Sequence, residues 1–344
     1  MVIQSSTDFL LEYACPSTRS RVLREVLGLP RSKPEVAALQ AAILNEPAVR
    51  ELLACQEADG WITKTFHGYE GMEATIRLLC EKDLDPGEPR FAAALESLQA
   101  RPERLYWGIG KVGRILDELG FGGSQTICAF LLAQAGLEAR EPIVRREVSL
   151  ALSAFRGLLE CPSLSDFFEI YRDKSILRPD TVWPSIYHLR VLAFTQSWRS
   201  QENIDLLAKS VARISAWPPI PEVHIRDKGQ LIASALFPMS DLSVSLASLT
   251  DAGWMFWFQR MELLARAGVL ELIPALVAQV SELKAFLEAG NGVFTKRLSH
   301  AYFKNWGAYS GLMLERDWRS KVRRECDLTF RSLLILSMSH LMAA

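Results

Sequence analysis

A short turn motif constrains this chain more than any other feature. Gly60-Trp61-Ile62-Thr63-Lys64 recurs near the C-terminus as Gly292-Val293-Phe294-Thr295-Lys296, a glycine followed by large apolar residues and then Thr-Lys. Both copies fall where helical text stops, and the aromatic side chain behind each glycine needs burial. A turn of this kind, set between helical stretches and used more than once, suits the joints of a structure made of helical hairpins. It argues for an architecture and identifies no reaction.

Helix punctuation points the same way. Ser32-Lys33-Pro34-Glu35 reads as a helix start, with proline in the first turn and an acid beside it. Pro47, Pro89, Pro142 and Pro274 read as further starts, three of them preceded by Glu. Apolar residues such as Ile143, Val144, Val148 and Ala151 fall at helical spacing. The text also repeats. Thr75-Ile76 and Thr126-Ile127 open helices 51 residues apart, and Glu88-Pro89 and Glu141-Pro142 follow at an offset of 53. Leu131-Leu132-Ala133-Gln134-Ala135-Gly136-Leu137 returns as Leu263-Leu264-Ala265-Arg266-Ala267-Gly268-Val269, a helix end with glycine placed for a left-handed cap. These signs predict one all-α domain over residues 1–344, with about twelve helices and essentially no sheet. Four long loops, around 101–123, 172–183, 217–243 and 290–306, are rich in Trp, Gly, Pro and His, and loops of that length are usually functional.

At 344 residues and 49% hydrophobic content the chain can bury a large core unaided. A formal net charge of -1 argues against a dedicated nucleic-acid binder. Cys15, Cys55, Cys80, Cys128, Cys161 and Cys326 form no C-x-x-C and read as reduced small hydrophobes. No basic residue precedes the first apolar run, and no apolar run is long enough to cross a bilayer, so a soluble cytoplasmic protein is expected.

Gln56-x-x-Asp59-Gly60-Trp61 is similar to the Q-x-x-D-G-x-W motif of the terpenoid cyclase and protein prenyltransferase superfamily, with the Trp one place early. The surrounding hairpin text looks like the bacterial prenyltransferase-like branch of that superfamily. The resemblance covers most of the chain by rhythm and only short patches by residues. It implies an α/α toroid of inner and outer helices around a central cavity, with the Gln, Gly and Trp bracing neighbouring hairpins. The departures from the family matter too. There is no D-x-D-D, since Asp83-Leu84-Asp85-Pro86 stops one acid short, and no D-D-x-x-D to hold a diphosphate through magnesium. No spacing supports an Asp, Cys and His trio for zinc, so neither metal nor cofactor is expected.

Three segments carry candidate chemistry. In the first, Trp183-Pro184-Ser185-Ile186-Tyr187-His188-Leu189-Arg190, proline would start a helix. His188 reads either as an acid or base at a cavity edge or as a buried, hydrogen-bonded core histidine. Trp183, Tyr187 and Arg190 are the associated binding candidates. In the second, Asp251 precedes Trp254, Trp257, Phe258 and Met261 on a single helical face. That face reads as a wall for an isoprenoid, or as ordinary core, and Asp251 as an acid or a helix cap. The third segment, Lys296 to Arg324, holds eight Lys or Arg against Glu315 and Asp317, interleaved with His300, Tyr302, Phe303, Trp306, Tyr309 and Trp318. Basic and aromatic text together suits a phosphate-bearing ligand, stacking on single-stranded nucleic acid, or a solvated face with snorkelling stems. Glu315-Arg316-Asp317-Trp318-Arg319 reads as a salt-bridge cluster at a helix boundary.

The leading expectation is therefore a protein that binds or transforms an apolar small molecule, an isoprenoid or its diphosphate, in an aromatic cavity, with His188, Asp251 and His300 as polar candidates. Two alternatives stand beside it. One is a helical-repeat interaction protein taking a peptide or nucleic acid. The other is an α/α-barrel carbohydrate-active enzyme drawing a carboxylate pair from Asp166, Asp173, Asp180, Asp251 and Glu262.

Overall fold

The computed structural model describes residues 2–108, 110–179, 181–217, 222–233 and 245–339. Helix predominates, at about 62%. The first helices are α1 (Val2–Tyr13), α2 (Pro16–Arg21), α3 (Pro34–Leu44), α4 (Pro47–Ala54), α5 (Met72–Glu81) and α6 (Pro89–Ala100). The middle of the chain gives α7 (Lys111–Glu118), α8 (Ser124–Gln134), α9 (Pro142–Glu160), α10 (Ile186–Ala193) and α11 (Gln201–Ala216). The last are α12 (Asp251–Ala267), α13 (Pro274–Ala289), α14 (Ala301–Lys304) and α15 (Lys321–Met338). The described residues thus hold fifteen α-helices where about twelve are expected, and short pieces such as α2 and α14 make up part of the surplus.

Two compact units are present. Unit 1 comprises Met1–Arg104, Ser245–Ala265 and Ala278–Ala344, and unit 2 comprises Leu105–Val244 and Arg266–Val277.

One connector recurs across the chain. A residue at positive φ follows a helix, and a proline six positions later opens the next: Gly28 and Pro34, Asp83 and Pro89, Gly136 and Pro142, Gly268 and Pro274. After three of them the next amide folds back onto the preceding turn, Leu29 to the Leu23 carbonyl, Leu84 to that of Leu79 and Leu137 to that of Leu132, satisfying a terminal acceptor. Asp83 occupies the left-handed position that glycine takes in the other three. Its carboxylate receives Arg24, Arg31 (2.7 Å) and the Ser20 hydroxyl (2.6 Å), and its carbonyl receives the Gln40 amide at 3.1 Å. Four side chains from the α2–α3 region thereby hold the end of α5.

Within unit 1 the turn motif acts as a brace. The Gln56 side-chain amide donates to the Gly60 carbonyl (2.9 Å) and to the Arg90 carbonyl on α6 (2.7 Å). Gly60, at φ 89°, lies so close to α6 that a Cβ there would sit 2.3 Å from the Ala93 carbonyl oxygen. Trp61 is fully buried, with the Arg104 guanidinium 5.4 Å from its ring centre. The C-terminal copy repeats the arrangement on α1. Gly292, at φ 91°, would place a Cβ 2.7 Å from the Ser5 side chain, its carbonyl accepts the Ser6 hydroxyl at 2.6 Å, and Phe294 is fully buried.

The centre of unit 1 is ionic. Arg331 on α15 reaches Glu81 (2.8 Å) and Glu262 (2.9 Å), while Arg21 on α2 reaches Glu81, Glu262 (3.3 Å) and Glu25. The Phe330 ring lies under both guanidiniums, at 4.8 and 5.5 Å. Burial works to lower the Arg21 pKa, and the three carboxylates more than reverse it, so Arg21 stays charged.

Unit 2 packs α9 against α8, α10 and α11. It also holds what the sequence reading missed, a sheet. Strands β1 (Phe168–Tyr171), β2 (Lys174–Leu177), β3 (Val223–Asp227) and β4 (Gln230–Ala233) pair in the order β1-β2-β3-β4. Two antiparallel hairpins join through a short parallel contact, Ser175 opposite Val223 and Ile176 opposite His224. Each hairpin turns on two left-handed residues, Arg172-Asp173 and Lys228-Gly229, the geometry that matches strand twist.

Two outcomes follow. Gly60→Ala lowers the melting temperature more than Gly28→Ala. Both pay about 1–2 kcal/mol for left-handed backbone, but only the first drives a Cβ into Ala93, while Gly28 has nothing within 4 Å. Arg331→Met leaves Arg21 alone to offset Glu25, Glu81 and Glu262 and costs about 3–5 kcal/mol in denaturant unfolding.

Candidate functional site

The first candidate segment is core. α10 begins at Ile186 behind Ser185, not at Pro184, and Ser185 and His188 cap each other: the Ser185 amide donates to His188 Nδ1 at 3.1 Å, and the His188 amide donates to the Ser185 hydroxyl at 3.4 Å. The tautomer is fixed by that bond, with the proton on Nε2. His188 is 1% exposed, and burial pushes its pKa down to about 4. The ring is neutral at neutral pH. Trp183 is buried among Phe167, Phe168 and Trp217. The Arg190 guanidinium lies over Phe130 (5.2 Å) and Tyr187 (5.0 Å), and both Arg190 and Tyr187 are buried.

The second segment also packs internally. Trp254 touches Trp257, Phe258, Phe286 and Phe294, so this face of α12 turns towards α13 and the second turn motif. Trp257 Nε1 donates to Gln279 Oε1 at 2.7 Å. Both indoles are fully buried. Thr250, not Asp251, caps the helix through the Gly253 amide (3.1 Å), and Asp251 instead accepts the Ser299 amide at 2.7 Å.

The carboxylates considered for glycoside chemistry are committed elsewhere. Asp166 caps a turn with Ser163, Asp173 sits in the first hairpin turn, Glu262 is in the ionic centre, and Asp180 lies outside the described residues. Asp251 and Glu262 share α12, about 16 Å apart along its axis and beyond the separation such pairs need.

The third segment forms a pocket. It has a volume of about 740 Å³ and lies wholly within unit 1. Trp306, Met313, Leu314 and Leu78 supply apolar lining, and Arg19, Lys82, Lys304, Arg316 and Arg323 bring five cations against Glu46, Glu315 and Asp317. The Trp306 ring is clamped by the Arg77 guanidinium at 5.1 Å and by Gly311, whose Cβ would meet the ring at 2.6 Å. His300 and Tyr302 stay outside this lining. His300 Nδ1 accepts the Tyr302 amide at 3.2 Å, and the half-buried His300 ring meets the exposed Tyr302 ring edge to face.

The wall of the pocket hangs from α15. Asp327 accepts the amides of Leu314 (2.9 Å) and Glu315 (3.0 Å) and the Trp318 indole N–H (2.5 Å), and Arg331 donates to the Leu312 carbonyl at 2.8 Å. Of the expected boundary cluster, Asp317 pairs with Arg319 (3.1 Å), while Glu315 turns inward to the Cys15 amide (2.6 Å) and Arg323 (3.3 Å). Burial raises the Glu315 pKa to about 7, helped by Asp327.

The cations differ in their commitments. Lys82 is tied to Glu46 (2.7 Å) and to the Leu314 carbonyl. The Nε of Arg19 is buried with no hydrogen-bond partner, and neither Lys304 nor Arg316 forms an ion pair among the described residues. Sequence reasoning reached Lys304, Trp306, Arg316 and Arg323 through local charge, but missed Arg19, Glu46 and Lys82, which join from the other end of the chain. Burial pushes the Cys15 thiol up to about 12, so it lines the pocket as a neutral group. Among the described residues no cluster of His, Cys, Asp and Glu could hold a metal, and no helix is long and apolar enough to cross a membrane.

His188 yields a test of its assignment as core. Its folded pKa lies below the unfolded value, so the unfolded chain binds the extra proton as pH falls from about 6.5 to about 4. Wild-type stability declines across that window, and His188→Gln removes part of the decline in urea titrations at pH 7 and pH 4.5.

Set against known protein families, curated proteins and solved structures, the chain matches none of them.

Proposed function

We propose that this protein binds an amphipathic anionic small molecule, an isoprenoid carrying a phosphate or diphosphate, in the pocket beside Trp306. The observation that carries this reading is a pocket of about 740 Å³ in which apolar side chains stand beside cations that form no ion pair among the described residues, Arg19, Lys304 and Arg316. Guanidiniums suit phosphate oxygens through paired N–H donors. The ring of Trp306 and the side chains of Met313 and Leu78 offer a surface for a hydrocarbon chain.

The same proposal extends to architecture. We read the chain as an α/α toroid similar to the terpenoid cyclase and prenyltransferase superfamily. The Gln56–Gly60–Trp61 brace and the connector repeated four times support it. The ligand is placed beside Trp306 rather than against Trp254 and Trp257, because those indoles are fully buried by their neighbours.

Native mass spectrometry and calorimetry test the reading. Farnesyl diphosphate binds, and Arg316→Gln, at an exposed position, weakens it by about tenfold, the scale of one charge-assisted contact. Farnesol binds more weakly than the diphosphate. No mass shift and no heat with farnesyl or geranylgeranyl diphosphate would remove the proposal.

A further inference from the structure

The pocket contains an acid that has no place in a simple anion site. Glu315 lines it, 2% exposed, opposite cations that would hold a negatively charged ligand. Every element packed around it contributes a polar group. From the α1–α2 junction the Cys15 amide donates to Oε1 at 2.6 Å, and the Cys15 thiol stays neutral. From the end of α5 and the turn between α3 and α4 come Lys82 and Glu46, which neutralise each other at 2.7 Å. From α15 come Arg323, 3.3 Å from Oε2, and Asp327, whose carboxylate holds the Glu315 amide at 3.0 Å. Arg316 and Asp317 flank it on its own loop.

Asp327 disfavours the ionised form of Glu315, and a buried, interacting pair of carboxylates shares a proton more readily than it carries two charges. Burial raises the Asp327 pKa as well, and its three N–H donors work against that rise. Among the described residues Glu315 accepts only the Cys15 amide and Arg323, and it is the member of the pair that lines the pocket, so the proton is assigned to Glu315. With Glu315 ionised, Arg323 is engaged by it, and the lining carries five cations and three carboxylates. With Glu315 protonated, one negative charge leaves the lining, and Arg323 loses its carboxylate partner while keeping its hydrogen bond to the Tyr13 carbonyl at 2.6 Å.

We propose that anion loading in this pocket is coupled to uptake of one proton at Glu315, which leaves the charge of Arg323 without a carboxylate partner and available to the ligand. The proton comes from solvent and rests on the Glu315 carboxyl. No covalent bond to the ligand is made or broken. The proposal rests on the binding function proposed above and specifies how that site is regulated. A proton taken up with the anion makes binding tighter at acidic pH, and the raised Glu315 pKa of about 7 places the change near neutrality.

The experiment is calorimetric titration of the full chain with farnesyl diphosphate, at pH 6, 7 and 8, in two buffers of different ionisation heat. Wild type takes up about one proton more per ligand at pH 8 than Glu315→Gln does, and its affinity falls about tenfold per pH unit above 7. The Gln variant keeps an oxygen for the Cys15 amide and has no proton to gain. Titration of the diphosphate itself is common to both proteins and cancels in the comparison. Arg323→Gln, at an exposed position, removes the cation that favours the ionised acid and moves the midpoint of the pH profile upward. Equal proton uptake in wild type and Glu315→Gln, or an unmoved midpoint in Arg323→Gln, overturns the coupling and leaves the binding function standing. Absence of binding at all three pH values overturns both.

Discussion

The ion pairs of Arg21 and Arg331 with Glu81 and Glu262 are the contact on which unit 1 depends. They tie α2, α5, α12 and α15 together at one point, and Arg331 also holds the Leu312 carbonyl, where the pocket wall begins. A buried network of this kind adds little over a well-packed apolar replacement, but losing one member leaves a charge stranded. Its value lies in direction. Hydrophobic contact would let these helices slide along one another, whereas a guanidinium shared by two carboxylates fixes their register. The Asp327 carboxylate, one helical turn before Arg331, then fixes Leu314, Glu315 and Trp318 by three hydrogen bonds. The pocket is thus shaped by the same helix face that closes the ionic centre.

Polar groups elsewhere follow the same logic of commitment. His188, Trp257 and Asp251 each find a partner in local structure. Arg19, Lys304 and Arg316 form no ion pair among the described residues, and they line one pocket. This contrast, rather than the density of functional-looking residues along the chain, separates the candidate site from the core.

Much of the helical framework was legible in the sequence. Pro34, Pro47, Pro89, Pro142 and Pro274 all open helices, because proline lacks only a donor that the first turn leaves unused. Gly136 and Gly268 end α8 and α12 in the left-handed conformation their spacing suggested. The sheet was missed because its strands are four or five residues long and sit inside stretches dominated by loop residues, although Lys228-Gly229 is a hairpin signal. Half of the site was legible as well. The basic, aromatic run from Lys296 to Arg324 announces itself by local charge, but Arg19, Glu46 and Lys82 reach it only through the fold. The ionic centre was hidden for another reason. Charged residues on a helix ordinarily mark its solvent face, and nothing local distinguishes Glu81 or Arg331 from such residues.

Asp83 deserves comparison with the three glycines at the other connectors. A glycine there makes a joint that is easily formed and easily opened. Asp83 accepts backbone strain and in return latches Ser20, Arg24, Arg31 and Gln40 to the end of α5. A local opening that frees α3 must therefore break the ties to α5 at the same moment. In amide hydrogen exchange, the segment from α2 to α5 would lose protection as one cooperative block, while the glycine joints allow their helices to fray separately.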